Sequence, residues 1–334
     1  MSKLHLFTID THTEGEPTRI LFWNLPRLPV SNVVEARDYI CKYYDWLRKA
    51  ILYEPRGHRD MFGAIILPAF NKEVDYALIF MDTGGYLDMC GHATMGVTVA
   101  LIELGYVKVK EPFTIIKYET PAGIVEVKAQ IDNGKVKRVT IIDVPSFYVR
   151  TVSLELKKPT KKVIDVDIAF GGNFYALVNA KDLGIKVNLT NVRKLIDIAL
   201  HIRSRVNEEI RIQHPEKTYI NKVALTMISD EPMNPEAHAK SVVVFAQGSV
   251  DRSPCGTGTA AKVSTLYAKG LLKLGEEFVH ESVIGTIFRC RAIAETQVGP
   301  YKAIIPEITG RAWITQINHI IINEEDPLKY GFLI

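Results

Sequence analysis

Asp88-Met89-Cys90-Gly91-His92-Ala93-Thr94 lies over Ser253-Pro254-Cys255-Gly256-Thr257-Gly258-Thr259 when the sequence is shifted by 165 residues. The match runs on without a gap. Leu101 meets Leu266, Gly105 meets Gly270, Lys108 meets Lys273, Glu111 meets Glu276 and, upstream, Phe80 meets Phe245. Eight of the 36 positions from Tyr76 to Glu111 are identical. Each copy reads strand, loop, Cys-Gly, helix and glycine stop, the last residue taking the left-handed turn that ends a helix. Rigid spacing with identities at punctuating positions points to two similar half-molecules. The helix predicted over 91–104 is nearly apolar all round, and such a helix must be enclosed on every side. Strands around a central helix would meet that need, for this helix and for its counterpart over 256–269.

Working outward, short β-type runs dominate, among them 4–9, 18–23, 64–67, 77–81, 113–118 and 124–130. Each is bounded by turn residues. Two amphipathic helices are predicted, over 34–52 and over 191–207, the second capped by Thr190 and Asn191. The class is therefore α+β. A chain of 334 residues suits two domains at about 100–200 residues each.

Charge excludes several partners. Lys plus Arg is 41 and Asp plus Glu is 38, a net charge of +3. That balance gives no basic field for nucleic acid. No apolar run approaches the roughly 20 residues of a membrane helix, so no membrane partner is expected. Residues 1–10 read as a first strand rather than a signal peptide, and a cytoplasmic location follows. Four cysteines in a chain of this length form no disulfide framework, and none makes a C-x-x-C pair. Cys41 maps onto Val206 and Cys290 onto Val125. Both read as small buried hydrophobes. Cys90 and Cys255 repeat and need another explanation.

A thiol at a helix N-terminus sits near the positive end of the macrodipole, which favours the reactive thiolate. The following N–H groups can bind a carboxylate, and Gly91 and Gly256 let it approach closely. Two thiols around one carbon have a specific use. One, as thiolate, removes a proton from one face, and the other returns a proton to the opposite face. The stereocentre is inverted, and helix N–H groups stabilise the charge that develops. No cofactor and no metal is required. Other readings compete. Cys90-Gly91-His92 offers two metal ligands, but its counterpart lacks the histidine. The two thiols could form a redox disulfide. The 255–259 loop could cradle phosphate, but it lacks the lysine of a P-loop.

Five blocks carry a resemblance over nearly the whole chain. They are Asp10-Thr11-His12-Thr13-Glu14-Gly15-Glu16-Pro17-Thr18-Arg19, Glu54-Pro55-Arg56-Gly57-His58-Arg59-Asp60-Met61-Phe62-Gly63, Met89-Cys90-Gly91-His92, Gly171-Gly172-Asn173-Phe174-Tyr175, and the stretch from Asp251 to Thr259. In them the sequence resembles the proline racemase family, which shares the diaminopimelate epimerase fold. The resemblance implies that Cys90 and Cys255 are the two acid/base residues. It implies that Gly91, His92, Gly256 and Thr257 hold the substrate carboxylate and neighbouring atoms, with His92 and Asp251 facing the ring amine. Retention of Cys255 favours epimerisation over dehydration. His58 and Phe62 look like the proline-acting group, while Leu225 fits neither that group nor the hydroxyproline epimerases. Phe62, Leu225 and Phe245 are the expected apolar wall, and the apolar Leu225 in it disfavours a ring hydroxyl.

The expected architecture is two pseudo-symmetric lobes, each a strand-rich shell around a central buried helix, with the active site in the cleft between them. The first lobe is set at residues 1–128 plus about 320–334, and the second at 129–319. The return of the C-terminal segment rests on the resemblance alone. The expected activity is a cofactor-independent racemase interconverting L- and D-proline, acting on a small imino acid and forming a homodimer. Alternatives are a 4-hydroxyproline 2-epimerase, a trans-3-hydroxyproline dehydratase, and, in a different class, a non-catalytic amino-acid-binding or thiol-redox protein.

Overall fold

A computed structural model of the chain describes residues 3–23, 26–156 and 162–334. It divides into two compact units: residues 1–140 with 311–334, and residues 141–310.

Unit 1 opens with strands β1 (Lys3–Thr13) and β2 (Glu16–Phe22), then helices α1 (Val33–Tyr43) and α2 (Asp45–Leu52). Strands β3 (Phe62–Pro68), β4 (Tyr76–Asp82) and β5 (Tyr86–Leu87) lead into α3 (Gly91–Glu103). Strands β6 (Phe113–Thr120) and β7 (Gly123–Asp132) follow, and β8 (Lys135–Ile142) carries the chain across the division. The turn between β7 and β8 uses left-handed angles at Asn133 (φ 52°) and Gly134 (φ 72°).

Unit 2 holds β9 (Ser146–Leu156), β10 (Lys162–Phe170), β11 (Phe174–Asn179), α4 (Ala180–Leu183) and α5 (Val192–Glu209). It continues with β12 (Val223–Asp230), β13 (Ala239–Phe245), β14 (Ser249–Asp251) and α6 (Gly256–Ala268). Strands β15 (Glu277–Glu281), β16 (Ile287–Val298) and β17 (Tyr301–Gly310) complete it. The last strand, β18 (Ala312–Asn323), belongs to unit 1 and pairs antiparallel with β1 from Lys3↔Asn323 to Thr13↔Ala312. The limits expected from sequence, 128/129 and about 320, fall inside β7 and β18, which the observed division leaves whole.

In unit 1 the strands run in the order β18, β1, β2, β3, β4, β6, β7. Both end strands, β18 and β7, touch α3. Every residue from Gly91 to Ile102 is buried. Gly96 permits a close approach, since a Cβ there would collide with Thr11 Oγ1 on β1. On the outer face, Ile40, Leu47 and Ile51 of α1 and α2 pack against Leu6, Leu21, Ile65 and Ile320.

In unit 2 the pairings close on themselves. They run β9, β10, β11, β12, β13, β15, β16, β17 and back to β9. A closed ring leaves no unpaired edge. Helix α6 touches β9, β10, β11, β16 and β17, while α5 packs against β12. Among the described residues no helix is long and apolar enough to cross a membrane.

The two buried helices begin and end by the same bonds. Thr94 donates both its N–H (3.1 Å) and its hydroxyl (2.7 Å) to the Cys90 carbonyl. Thr259 does the same to Cys255, at 2.8 and 2.7 Å. At the far end Tyr106 N–H bonds Leu101 O (2.9 Å) past left-handed Gly105, and Leu271 N–H bonds Leu266 O (2.8 Å) past left-handed Gly270. That six-to-one bond around a left-handed glycine is a Schellman stop. A second correspondence lies outside the aligned stretch. The Glu119 carboxylate accepts from Phe70 and Asn71 N–H, and Glu281 accepts from Met233 and Asn234 N–H.

Three local expectations are corrected. The single helix over 34–52 is two, because Tyr44 leaves helical geometry (φ −127°, ψ 16°). Asp45 then opens a new helix by bonding Arg48 (2.7 Å) and pairing with Lys49 (3.1 Å). The cap expected from Thr190 and Asn191 comes from Asn188, whose side chain accepts Asn191 N–H (3.0 Å) ahead of a 3-10 turn over Leu189–Asn191. Cys41 is exposed rather than core. It follows Ile40, a buried position of α1, and one residue is about 100° of helix rotation. Cys290 is buried, as a small hydrophobe should be.

Candidate active site

Unit 1 brings Phe62, Cys90, Gly91 and His92 together. Cys90 caps α3 in an extended conformation (φ −149°, ψ 115°) and is 5% exposed. Its Sγ stands 3.2 Å from Nδ1 of His92. The His92 ring meets Phe62 edge-on, 4.6 Å between centroids. Its backbone carbonyl accepts the Thr13 hydroxyl (2.7 Å). The N–H groups of Gly91, His92 and Ala93 precede the first rung of the helix ladder, Thr94 to Cys90.

The 10–19 block positions this corner. Buried Arg19 donates Nε to Asp10 Oδ1 (2.9 Å) and a terminal N–H to Oδ2 (2.7 Å). Its other arm bonds the carbonyls of Ile51 (2.8 Å) and Arg56. A charge this deep needs its partner and its hydrogen bonds. The clamp fixes the chain leading to Phe62. His58 is exposed, and its Nδ1 accepts Asp60 N–H (3.2 Å).

Unit 2 carries Leu225, Phe245, Asp251, Cys255, Gly256 and Thr257. Cys255 caps α6 and is 4% exposed, but its backbone is left-handed (φ 66°, ψ 106°). That conformation is strained for a residue with a Cβ. It is held from both sides. Cys255 N–H donates to Ser253 Oγ (3.1 Å), and its carbonyl receives the two Thr259 bonds. Ser253 in turn donates its N–H (2.8 Å) and hydroxyl (2.7 Å) to Asp251 Oδ1.

Asp251 ends β14, opposite Val243 of β13, the strand that Phe245 closes. Leu225 lies beside Tyr175 in the β11–β12 ladder. Leu225 and Phe245 are both buried. The 171–175 block packs on the start of α6, because a Cβ at Gly171 would strike the Thr257 carbonyl.

One side chain goes beyond the sequence reading. The Tyr175 hydroxyl stands 3.3 Å from Cys255 Sγ and 2.6 Å from Thr257 Oγ1. The only sequence signal for it was its place at the end of the 171–175 block. Burial pushes the Cys255 thiol well above its ordinary range, and the charge of Asp251 adds to that rise. The Tyr175 hydroxyl and the Gly258 N–H oppose it. Burial also raises Asp251 and Tyr175. Both sites can donate and accept a proton at sulfur, with an imidazole beside one thiol and a phenol beside the other.

The chain has a diaminopimelate epimerase-like α+β fold with a strand-rich barrel core, as its likeness to solved structures of that class shows. The family model "Proline racemase" matches residues 8–333. The chain belongs to the proline racemase family. It is 50% identical over 330 residues to the proline racemase of Acetoanaerobium sticklandii, covering 98% of each chain. It is 39% identical over 332 residues to the 4-hydroxyproline epimerase of Brucella ovis, covering 99% of each. Among solved structures it superposes on a hydroxyproline epimerase from Agrobacterium vitis with bound trans-4-OH-L-proline. That match has a TM-score of 0.92 and 32% identity, over 99% of this chain and 96% of the other.

Proposed function

We propose that this protein is an isomerase that interconverts L- and D-proline without a cofactor, using Cys90 and Cys255 as its two bases. The observation that carries the reading is that each repeated cysteine opens a buried helix beside its own proton-bearing partner, His92 or Tyr175. The Cα–H bond of proline breaks as one thiolate takes the proton. The electron pair stays on Cα and spreads into the carboxylate, and the other thiol protonates the opposite face. The first turns of α3 and α6, at Gly91, His92, Gly256 and Thr257, hold the carboxylate through their N–H groups. His92 and Asp251 face the ring ammonium, and an ionised Asp251 offsets its charge.

The same reading includes two pseudo-symmetric lobes, each a shell around its central helix, which suits a reaction that runs equally well in both directions. Four free thiols suit a reducing cytoplasm. A homodimer belongs to the proposal on the strength of the sequence reading alone.

Phe62, Leu225 and Phe245 form the wall against the ring. All three are apolar and buried, so a ring hydroxyl would lose its water without gaining a partner. The second reading, a 4-hydroxyproline epimerase, is favoured by the likeness to the Agrobacterium vitis enzyme. Chiral chromatography after incubation with L-proline, trans-4-hydroxy-L-proline and trans-3-hydroxy-L-proline separates them. D-Proline should form fastest. Turnover of a hydroxyproline alone would overturn the proline assignment.

A further inference from the structure

Behind the strained Cys255 lies a buried chain of hydroxyls around one histidine. Ser229 Oγ is 3.0 Å from Ser241 Oγ, which is 2.7 Å from His280 Nε2. His280 Nδ1 is 2.8 Å from Thr259 Oγ1, which lies 2.7 Å from the Cys255 carbonyl. All four side chains are buried, His280 completely.

The direction of every proton in this chain is fixed by its end. A carbonyl only accepts, so Thr259 donates its hydroxyl to Cys255. Its oxygen then accepts from His280, which must carry its proton on Nδ1. Burial keeps the ring neutral, its pKa pushed down to about 3, so Nε2 is an acceptor. Ser241 therefore donates to Nε2 and accepts from Ser229. Each donor points the same way, toward the peptide of the reactive cysteine, and aligned bonds of this kind strengthen one another. Only in unit 2 does the capped cysteine have a left-handed backbone, φ 66° against −149° at Cys90.

We infer that Thr259, His280 and Ser241 are positioning residues for the reaction proposed above. Together they hold the Cys255 peptide in its left-handed conformation and so aim its thiol. The inference rests on the two-thiol reading, and its test keeps the two apart.

The test compares Thr259→Val, Thr259→Ser and Ser241→Ala with the parent enzyme. It reads kcat and KM for L-proline, and the iodoacetamide alkylation rates of Cys255 and Cys90 in one sample by peptide mass spectrometry. Thr259→Val should lower kcat about tenfold, the scale of one lost hydrogen bond, with KM within about twofold. It should change alkylation of Cys255 at least about threefold and leave Cys90 alone. Thr259→Ser keeps the donor and should restore parent values. Ser241→Ala, one step further away, should act in the same sense at smaller size, and it decides the matter if Thr259→Val does not fold. Alkylation rates that move together at both cysteines, an unchanged kcat, or failure of serine to rescue would overturn the inference. A parent enzyme without racemase activity would instead sink the proposed function, and the alkylation pattern would still decide the positioning role.

Discussion

The Tyr175 hydroxyl stands 3.3 Å from the Cys255 thiol, where the other repeated cysteine has an imidazole, His92 Nδ1 at 3.2 Å from Cys90. The two thiols are thus chemically unequal. The phenol works against the rise that burial and Asp251 impose on Cys255. Tyr175→Phe should therefore raise that thiol further and leave less of it as the thiolate that takes the proton. A hydrogen bond to a charged group is worth roughly 1.5–3 kcal/mol, so kcat should fall about 10- to 100-fold. KM should move much less. Steady-state kinetics with L-proline check this, and a kcat within about twofold of the parent would remove Tyr175 from the account.

Asp251 acts on Cys255 in the opposite sense, since its negative charge disfavours a thiolate. Asp251→Asn should shift the onset of Cys255 alkylation to lower pH. The same change removes the counter-charge for a ring ammonium, so KM should rise about tenfold or more, at least 1.4 kcal/mol. An alkylation profile and a KM both unchanged would place Asp251 in a structural role only.

Gly258 faces the thiol from the first turn of α6. A Cβ there would lie 2.6 Å from Met227 Cε, 3.0 Å from Cys255 Sγ and 3.2 Å from Tyr175 Cε1. The end of a methionine yields easily, whereas the thiol and the ring are the working groups. Gly258→Ala should thus cost activity, about tenfold, while lowering Tm by only a few degrees. Thermal melting beside turnover measures the two effects.

Asp143 offers a test of stability away from both cysteines. Its Oδ1 accepts the Val144 N–H at 2.7 Å, and its Oδ2 is buried without a hydrogen-bond partner among the described residues. Burial raises this carboxyl to about 7. The folded state thus favours the neutral acid. That stabilisation is present below the unfolded carboxylate range and is lost as pH rises through the folded value. Asp143→Asn should flatten the fall in Tm between about pH 4 and 8, with a gain on the order of 1–4 kcal/mol at the upper end. Parallel Tm curves for variant and parent would contradict it.

Much of this was legible in the sequence because the repeat is carried by punctuation. Cys-Gly opens each buried helix, a threonine four residues on bonds the cysteine carbonyl, and Leu with Gly closes the far end. Those identities share one spacing, so a fixed shift finds them. The Glu119 and Glu281 anchors do not. Their loop partners Asn71 and Asn234 are 163 residues apart, and the acids themselves 162, so a scan at 165 misses both. Tyr175 and His280 were hidden for another reason. They lie 80 and 25 residues from Cys255 in sequence, and only strand pairing brings them to α6. The break at Tyr44 was missed because helical spacing of apolar residues continues through it.

The central claim is that two thiols invert one carbon, and isotope exchange tests it most directly. L-Proline is incubated in deuterated water with the parent enzyme, Cys90→Ser and Cys255→Ser, and the Cα label is followed in each enantiomer. The parent should yield D-proline labelled at Cα, and each single variant should lose racemisation by a factor of at least about a thousand. Racemisation with Cα exchange persisting in both variants would contradict the account.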